Sequence, residues 1–155
     1  MQIERLPAAQ YPEIRDLLLD LLLQEQEHFD HPRLSRTELD QALPRTRPTF
    51  RGENHLFTAR QAGRPVGLCW CVLYDPGTGL EGEVAELYVV PAARGRGLAT
   101  QLLGAAVELF RRRGVTFAAV WTRRGNLPAH RLYAAAGFAP TEQTVLTWYP
   151  AEEAR

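Results

Sequence analysis

The chain has 155 residues, 45% of them hydrophobic and 23% charged, which is enough apolar sequence for a single globular domain spanning residues 1–155. Its formal net charge is zero, so no overall field favours nucleic acid or a membrane surface as a partner. No apolar run is long enough to cross a bilayer, and the first residues lack a signal-peptide core, so we expect a cytoplasmic protein.

The first third of the chain predicts one strand and two helices. Residues 2–6 form a short edge strand that Pro7 ends. Ser35 and Glu38 have the spacing of a capping box and predict a second, short helix. The first helix is predicted to begin at Pro12, and its apolar stripe contains Ile14, Leu17, Leu18, Leu21 and Leu22.

An acidic stretch follows the first predicted helix and includes Glu25, Glu27 and Asp30. Exposed carboxylates are common on protein surfaces, so one interpretation is a solvated helix end. The other is recognition of a cation, because residues 94–124 carry seven arginines against a single acid and the two charge signs are separated along the chain.

Three strands are predicted in the middle of the chain, after a turn-rich loop over residues 44–54. His55 to Arg60 and Pro65 to Tyr74 form a hairpin across Gly63. The second of these strands is apolar on both faces, which is typical of a central position in a sheet. After a turn at residues 75–79, Glu81 to Val90 pairs antiparallel with it.

The two cysteines, Cys69 and Cys71, lie on one face of that central strand. Their directions do not suit a mutual disulfide, so we expect small buried hydrophobic residues in a reducing compartment. Two cysteines without further ligands nearby do not make a metal site, and no metal is expected.

Residues 86–110 contain the sequence ELYVVPAARGRGLATQLLGAAVELF, which predicts a strand, a short basic loop and a helix. The free N–H groups of the loop and of the first helical turn form a ready anion site. Gly95 and Gly97 permit close backbone approach, and Arg94 and Arg96 add full positive charges.

The last third of the chain predicts a parallel strand, a helix and a final strand. Gly114 ends the helix that carries Arg111 to Arg113, and Thr116 to Trp121 is then reached by a crossover. The arginine triplet suits a helix C-terminus and leaves a role near a ligand phosphate open. Asn126 caps a helix over residues 127–136, and residues 144–149 form the last strand.

The spacing in the basic loop separates three kinds of phosphate site. The dinucleotide fingerprint that starts at Gly95 needs a small residue where Thr100 stands, and a Walker loop needs a lysine, which this chain lacks. What remains is Arg94-x-x-Gly97-x-Ala99, which resembles the (Q/R)-x-x-G-x-(G/A) signature of the GNAT superfamily of acyl-CoA N-acyltransferases.

A second motif, NLPAHRLYAAAGF at residues 126–138, is similar to the other signature of that superfamily and follows in the same order. The resemblance covers roughly residues 1–149. It implies an α/β (α+β) fold with a mixed, mainly antiparallel sheet of about six to seven strands and helices on both faces. Two central parallel strands would splay into a V that receives the pantetheine arm of acetyl-CoA.

The resemblance also implies which residues hold acetyl-CoA as the co-substrate, with no metal. The pyrophosphate would meet the loop backbone, and main-chain groups of the preceding strand would pair with the pantetheine. Asn126 and Tyr133 would lie against the same arm. The cofactor-binding residues implied are Leu87, Tyr88, Val89, Arg94, Gly95, Arg96, Gly97, Leu98, Ala99, Thr100, Asn126 and Tyr133.

Three catalytic positions are implied in the same way. The N–H of Val89 would stabilise the thioester oxyanion, and Tyr133 would protonate the departing thiolate. Glu86 or Glu83 would accept the proton of the amine, and Glu86 is preferred because it lies nearer to Val89. Three residues apart, they lie on opposite faces of a regular strand unless a bulge intervenes. His28, His31 and His130 are possible substitutes.

The implied reaction is transfer of an acetyl group to a primary amine by direct attack in a ternary complex. A small cationic amine is the favoured acceptor, while a protein N-terminus or side-chain amine stays open. The competing class is a non-catalytic acyl-CoA-binding module, against which the joint presence of Tyr133, Glu86 and Val89 argues. The sequence leaves a homodimer open.

Overall fold

One sheet of five strands carries the fold within the residues that the structure, a computed structural model, describes: 2–26, 33–43, 52–75 and 79–146. The strands and helices of these ranges are β1 (Gln2–Leu6), α1 (Arg15–Glu25), α2 (Arg36–Ala42), β2 (Glu53–Gln61), β3 (Arg64–Tyr74), β4 (Glu81–Val89), α3 (Leu98–Arg113), β5 (Phe117–Val120) and α4 (Leu127–Ala135).

The strands lie side by side in chain order, from β1 to β5. The first four are antiparallel to their neighbours, and β5 is parallel to β4 because α3 provides the crossover. This confirms the predicted mixed, mainly antiparallel sheet and the hairpin across Gly63. Within the described ranges the sheet has five strands, fewer than the predicted six to seven.

The difference concerns the last predicted strand, over residues 144–149. Residues 144–146 have no strand structure, and residues 147–149 lie outside the described ranges. Val145 and Leu146 are 54% and 90% exposed, so they pack against little of the described chain. Without a buried face, β-propensity alone does not specify a strand.

Helices cover both faces of the sheet. α3 packs on the face that carries Cys69 and Cys71, and α1 packs on the opposite face around Leu68 and Tyr88. Both cysteines are free and fully buried, as predicted, and burial raises the pKa of Cys71 to about 12. No helix in the described part of the chain has the length and apolarity needed to cross a membrane.

Short-range sequence signals place most helix ends correctly. The capping box is present, since Ser35 Oγ accepts from the Glu38 N–H at 3.3 Å and a Glu38 carboxylate oxygen accepts from the Ser35 N–H at 2.7 Å. Asn126 caps α4, and Gly114 ends α3 with φ of 69°. The first helix differs: residues 8–14 form a 3-10 helix containing Pro12, and α1 begins only at Arg15.

The carboxylates near the N-terminus mostly have local cationic partners. Arg36 donates to both Asp16 and Asp20, at 3.1 and 2.5 Å, which joins α2 to α1. Glu4 and Glu13 likewise share Arg60. The acidic stretch that predicted a cationic ligand is different, because Glu27, Asp30 and the side chain of Glu25 lie outside the described residues.

A buried histidine links β2 to the end of α3. His55 is 4% exposed, and its Nε2 lies 3.1 Å from a carboxylate oxygen of Glu53. The Glu53 carboxylate also accepts two hydrogen bonds from Arg113, at 2.5 and 2.9 Å. Its Nδ1 is buried and has no hydrogen-bond partner among the described residues. Burial lowers the pKa of His55, although the Glu53 carboxylate opposes this shift. Hydrogen bonds from Arg113 and His55 lower the pKa of Glu53 to about 2.

We therefore expect stability to fall with acidification in two stages. Below its ordinary pKa of 6.5, His55 takes up a proton more readily in the unfolded chain than in the fold, so stability declines as pH falls below that value. Glu53 stabilises the fold above pH 4.5, and this contribution is lost as pH falls towards about 2. Because Glu53 is 52% exposed, its share is at most about 1 kcal/mol.

The measurement is thermal unfolding between pH 3 and 8. His55→Gln should flatten the upper stage and Glu53→Gln the lower stage. An unchanged profile in His55→Gln would show that other groups cause the loss near pH 6.

Candidate active site

The parallel strands β4 and β5 pair over only four residues. Residues 81–84 are matched with residues 117–120, after which β5 ends while β4 continues to Val89. From residue 85 onward, the edge of β4 therefore has no partner strand within the described chain. This is the predicted gap between two parallel strands, and it exposes a row of main-chain hydrogen-bonding groups.

A β-bulge marks the point where the gap begins. On β3, Trp70 pairs with Glu86 and Cys71 pairs with Val84, so Ala85 is an extra residue in β4. A bulge of this kind bends its strand and shifts the alternation of side chains by one residue. The sequence shows only an ordinary alanine here, because register is a property of the strand pair.

Leu87 and Val89 direct their main-chain groups into the gap. The N–H of Val90 donates to the carbonyl of Val66 at 3.0 Å, which makes this a hydrogen-bonded antiparallel pair. Hydrogen-bonded and non-hydrogen-bonded pairs alternate along an antiparallel ladder, so Tyr88 is bonded to β3 while Leu87 and Val89 point away from it. The open edge thus offers the groups of the two residues predicted to pair with pantetheine.

The bulge places Glu83 and Glu86 on the same face of the sheet. Glu83 pairs with Val72 and Glu86 pairs with Trp70, and these two β3 residues share a face. Opposite faces were expected only for a regular strand, and the bulge is the exception that the sequence analysis allowed for. Separation along the strand no longer distinguishes the two candidate bases.

The basic loop forms a shallow cavity at the N-terminus of α3. Gly95 and Gly97 have φ of 75° and 74°, in the region that favours glycine, and a Cβ at Gly97 would meet no atom closer than 3.9 Å. The first N–H groups of α3 have no partner inside the helix and point into this space. The cavity measures about 220 Å³ and is lined by Val89, Ala93, Arg94, Gly95, Gly97, Leu98, Ala99 and Thr100.

The two loop arginines differ in their surroundings. Arg94 turns back over β4, where its Nε donates to the Val89 carbonyl at 2.8 Å and its Nη2 donates to the Gln24 side chain at 2.9 Å. Its guanidinium also lies 5.7 Å from the centre of the Tyr88 ring. Arg96 is exposed, and no side-chain partner for it occurs in the part of the chain that the structure describes.

Tyr133 lies on α4 and packs against the α3 side of the sheet. Its ring makes an edge contact with Phe138 at 6.0 Å between centroids. Burial, followed by the Cys69 thiol and the Glu86 carboxylate, raises the pKa of Tyr133 to about 12. The hydroxyl is therefore protonated at neutral pH and can act as a donor.

The remaining predicted residues have structural partners or lie outside the described chain. The Asn126 side-chain oxygen accepts from the Ala129 N–H at 3.3 Å, which leaves its NH₂ group for a ligand. The ring of His130 lies 3.0 Å from the Arg123 carbonyl and is half-buried. His28 and His31 are not among the described residues.

Sequence reasoning missed Gln24 on α1. Its amide accepts from Arg94 and donates to the Tyr88 hydroxyl at 3.1 Å, so it joins α1 to the end of β4. A glutamine in a polar helix end carries no local signal of a partner 64 residues away. Among the described residues, no group of three or more His, Cys, Asp or Glu side chains could hold a metal ion.

Comparison with known proteins gives a family match over most of the chain. Residues 13–138 match the model of the acetyltransferase (GNAT) family. A mycothiol acetyltransferase from Thermobispora bispora is 31% identical over 132 residues, which are 83% of this chain and 44% of that protein. The chain thus spans less than half the length of the mycothiol acetyltransferases that it matches.

Solved structures share the fold at lower identity. A ribosomal-protein-alanine N-acetyltransferase from Brucella melitensis biovar Abortus 2308 aligns with a TM-score of 0.70 and 19% identity, covering 96% of this chain and 100% of that one. AAC(6')-Iy, solved with the bisubstrate analogue CoA-S-monomethyl-acetylneamine, aligns with a TM-score of 0.64 and 19% identity, covering 96% and 97%.

Proposed function

The chain belongs to the acetyltransferase (GNAT) family, and from this premise we propose that it transfers an acetyl group from acetyl-CoA to a primary amine by direct attack in a ternary complex. The observation that carries the proposal is the junction of two donor surfaces. The glycine cradle at the N-terminus of α3 is continuous with the open edge of β4, since Val89 lines the cavity and also ends that edge.

Coenzyme A fits the donors that these two surfaces offer. Its pyrophosphate is an anion suited to the free N–H groups of Leu98, Ala99 and Thr100 and to the positive end of the helix dipole. Its pantetheine arm has alternating amide donors and acceptors, as a β-strand does, and can pair with Leu87 and Val89 by strand addition. The NH₂ group of Asn126 is a further donor for the arm.

Acetyl-CoA supplies the activated acetyl group as a thioester, and the protein supplies the hydrogen bonds and the proton transfers. As the amine nitrogen attacks the carbonyl carbon, negative charge develops on the thioester oxygen, and the Val89 N–H is the donor we assign to it. When the carbon–sulfur bond breaks, Tyr133 gives its proton to the sulfur. The proton lost by the amine nitrogen passes to a glutamate, directly or through water.

We assign the base to Glu86. Its carboxylate contributes to raising the pKa of Tyr133, after burial and the Cys69 thiol, and Glu86 follows the bulge where the gap begins. Glu83, together with Glu81, instead contributes to raising the pKa of Tyr74, after burial. The base must reach the amine that attacks the thioester, which favours the glutamate that borders the gap.

A small cationic amine is the acceptor that we favour. Glu81, Glu83 and Glu86 pair with Tyr74, Val72 and Trp70, so all three lie on the α1 face of β4, and Glu86 borders the gap. A negatively charged wall attracts a protonated amine to the site. One similar protein is named for a small molecule, mycothiol, and another for an alanine of a ribosomal protein. A protein amine is therefore the alternative acceptor.

The proposal is tested by incubating labelled acetyl-CoA with polyamines, amino sugars, a peptide with a free N-terminus and a neutral amine. We expect label transfer and thiol release with the cationic small amines. Glu86→Gln should lower turnover by about 100-fold, and its matched control Glu83→Gln should lower it much less. Binding of coenzyme A without transfer to any amine would support the non-catalytic module instead.

A further inference from the structure

We propose that Arg94 is a positioning residue, which fixes the direction of the Val89 N–H and fastens α1 to the end of β4, rather than a pyrophosphate ligand. The proposal rests on the proposed function, because Val89 matters only if a thioester lies in the gap. The motif alone suggests the opposite role, since a basic residue beside a glycine cradle is expected to meet the phosphate.

The guanidinium of Arg94 is held by three neighbours on the α1 side. It donates to the Val89 carbonyl at 2.8 Å and to the Gln24 side-chain oxygen at 2.9 Å, and it lies over the Tyr88 ring at 5.7 Å. Gln24 in turn donates to the Tyr88 hydroxyl at 3.1 Å. The three side chains therefore form a closed ring of contacts, which defines the orientation of the Gln24 amide.

This ring acts on one particular peptide unit. The carbonyl of Val89 and the N–H of Val90 belong to the same peptide, which accepts from Arg94 on one side and donates to the Val66 carbonyl at 3.0 Å on the other. A peptide plane held at both ends cannot rotate without breaking a bond. Its neighbour, the peptide that carries the Val89 N–H, is then kept pointing into the gap.

The carbonyl of Val89 can still receive a ligand. A carbonyl oxygen has two lone pairs, and Arg94 uses only one of them. The charged donor also polarises the peptide, as hydrogen bonds in a chain strengthen each other. Arg94 therefore shares the Val89 carbonyl with a ligand and leaves the Val89 N–H and the main-chain groups of Leu87 for pairing along the open edge of β4.

Arg96 provides the natural comparison. It stands two residues further along the same loop, is exposed, and has no side-chain partner within the described ranges. Its charge lies next to Gly95 and Gly97 of the cradle, whereas Arg94 lines the cavity but has its guanidinium engaged by Val89, Gln24 and Tyr88. The two arginines of one motif thus have separate roles.

The test compares Arg94→Ala with Arg96→Ala, using two acetyl donors. Acetyl-CoA carries the pyrophosphate, whereas S-acetylpantetheine has the same thioester and amides without phosphates. We expect Arg94→Ala to lower kcat about tenfold with both donors, because misorienting an oxyanion donor costs less than removing it. Arg96→Ala should raise KM for acetyl-CoA more than KM for S-acetylpantetheine. A defect of Arg94→Ala confined to acetyl-CoA would overturn the proposal.

A second measurement needs no ligand and covers the case in which Arg94→Ala folds poorly. Gln24→Leu removes the anchor of Arg94 without changing the loop. We expect the Val90 amide to exchange with solvent about tenfold faster in Gln24→Leu than in wild type or Arg96→Ala. Unchanged exchange would show that the ring does not hold this peptide, while wild type that binds neither coenzyme A nor pantetheine would instead refute the proposed function.

Discussion

Replacing Gly97 with leucine should reduce affinity for coenzyme A by at least about 100-fold and leave a folded protein. The side chain would enter the cavity where the free N–H groups of α3 point, and its Cβ would meet no other protein atom closer than 3.9 Å. With φ of 74°, the new residue also carries backbone strain of about 1–3 kcal/mol. That cost is smaller than the total stability expected of a domain, about 5–15 kcal/mol.

Gly114 provides a matched control at the other end of the same helix. Its φ is 69°, and a Cβ there would meet nothing within 4 Å, so Gly114→Leu introduces comparable strain far from the cradle. Thermal unfolding should shift similarly in both variants, and isothermal titration with coenzyme A should separate them. Undiminished binding by Gly97→Leu would remove the cradle from the proposed site.

Tyr133→Phe should lower turnover by about 100-fold or more while changing affinity for acetyl-CoA little. With its pKa raised to about 12, the phenol lies about 3.5 units above an ordinary thiol, so ground-state proton transfer would be uphill by about 5 kcal/mol. The burial that raises the pKa of the phenol also raises the pKa of a thiol beside it, so the difference between the two pKa values becomes smaller.

The assay is steady-state kinetics combined with direct binding of acetyl-CoA. Tyr11→Phe, which removes a hydroxyl from the cluster on the opposite face of the sheet, is the control for general loss of stability. Because Tyr133 stays protonated, it should cause no loss of kcat up to about pH 10. If Tyr133→Phe retains full turnover, water or another group protonates the sulfur, and the tyrosine serves packing with Phe138.

The features predicted correctly from sequence are mostly local. Ser35 with Glu38, Asn126 and Gly114 each act within a few residues, so spacing alone identifies the helix end. The strand, loop and helix around the glycines were likewise predictable, because hydrophobic periodicity changes there from strand to helix.

What the sequence could not provide depends on distant partners. The bulge at Ala85 exists only relative to the register of β3, and with it the shared face of the two glutamates. The hydrogen bond from Arg94 to Gln24, 70 positions away, depends on the packing of α1 over the end of β4. Pro12 similarly lies within a 3-10 helix, where local propensity alone predicted the start of an α-helix.

The extra residue makes the direction of every later side chain of β4 depend on how many residues precede it. Up to Val84 the strand pairs in regular register with β3 and β5. After Ala85 its register against β3 is shifted by one residue. Removing or adding a single residue between Ala85 and Pro91 would exchange the orientations of Tyr88 and Val89, whatever amino acids were used. In this stretch the number of residues itself determines which peptide faces the gap.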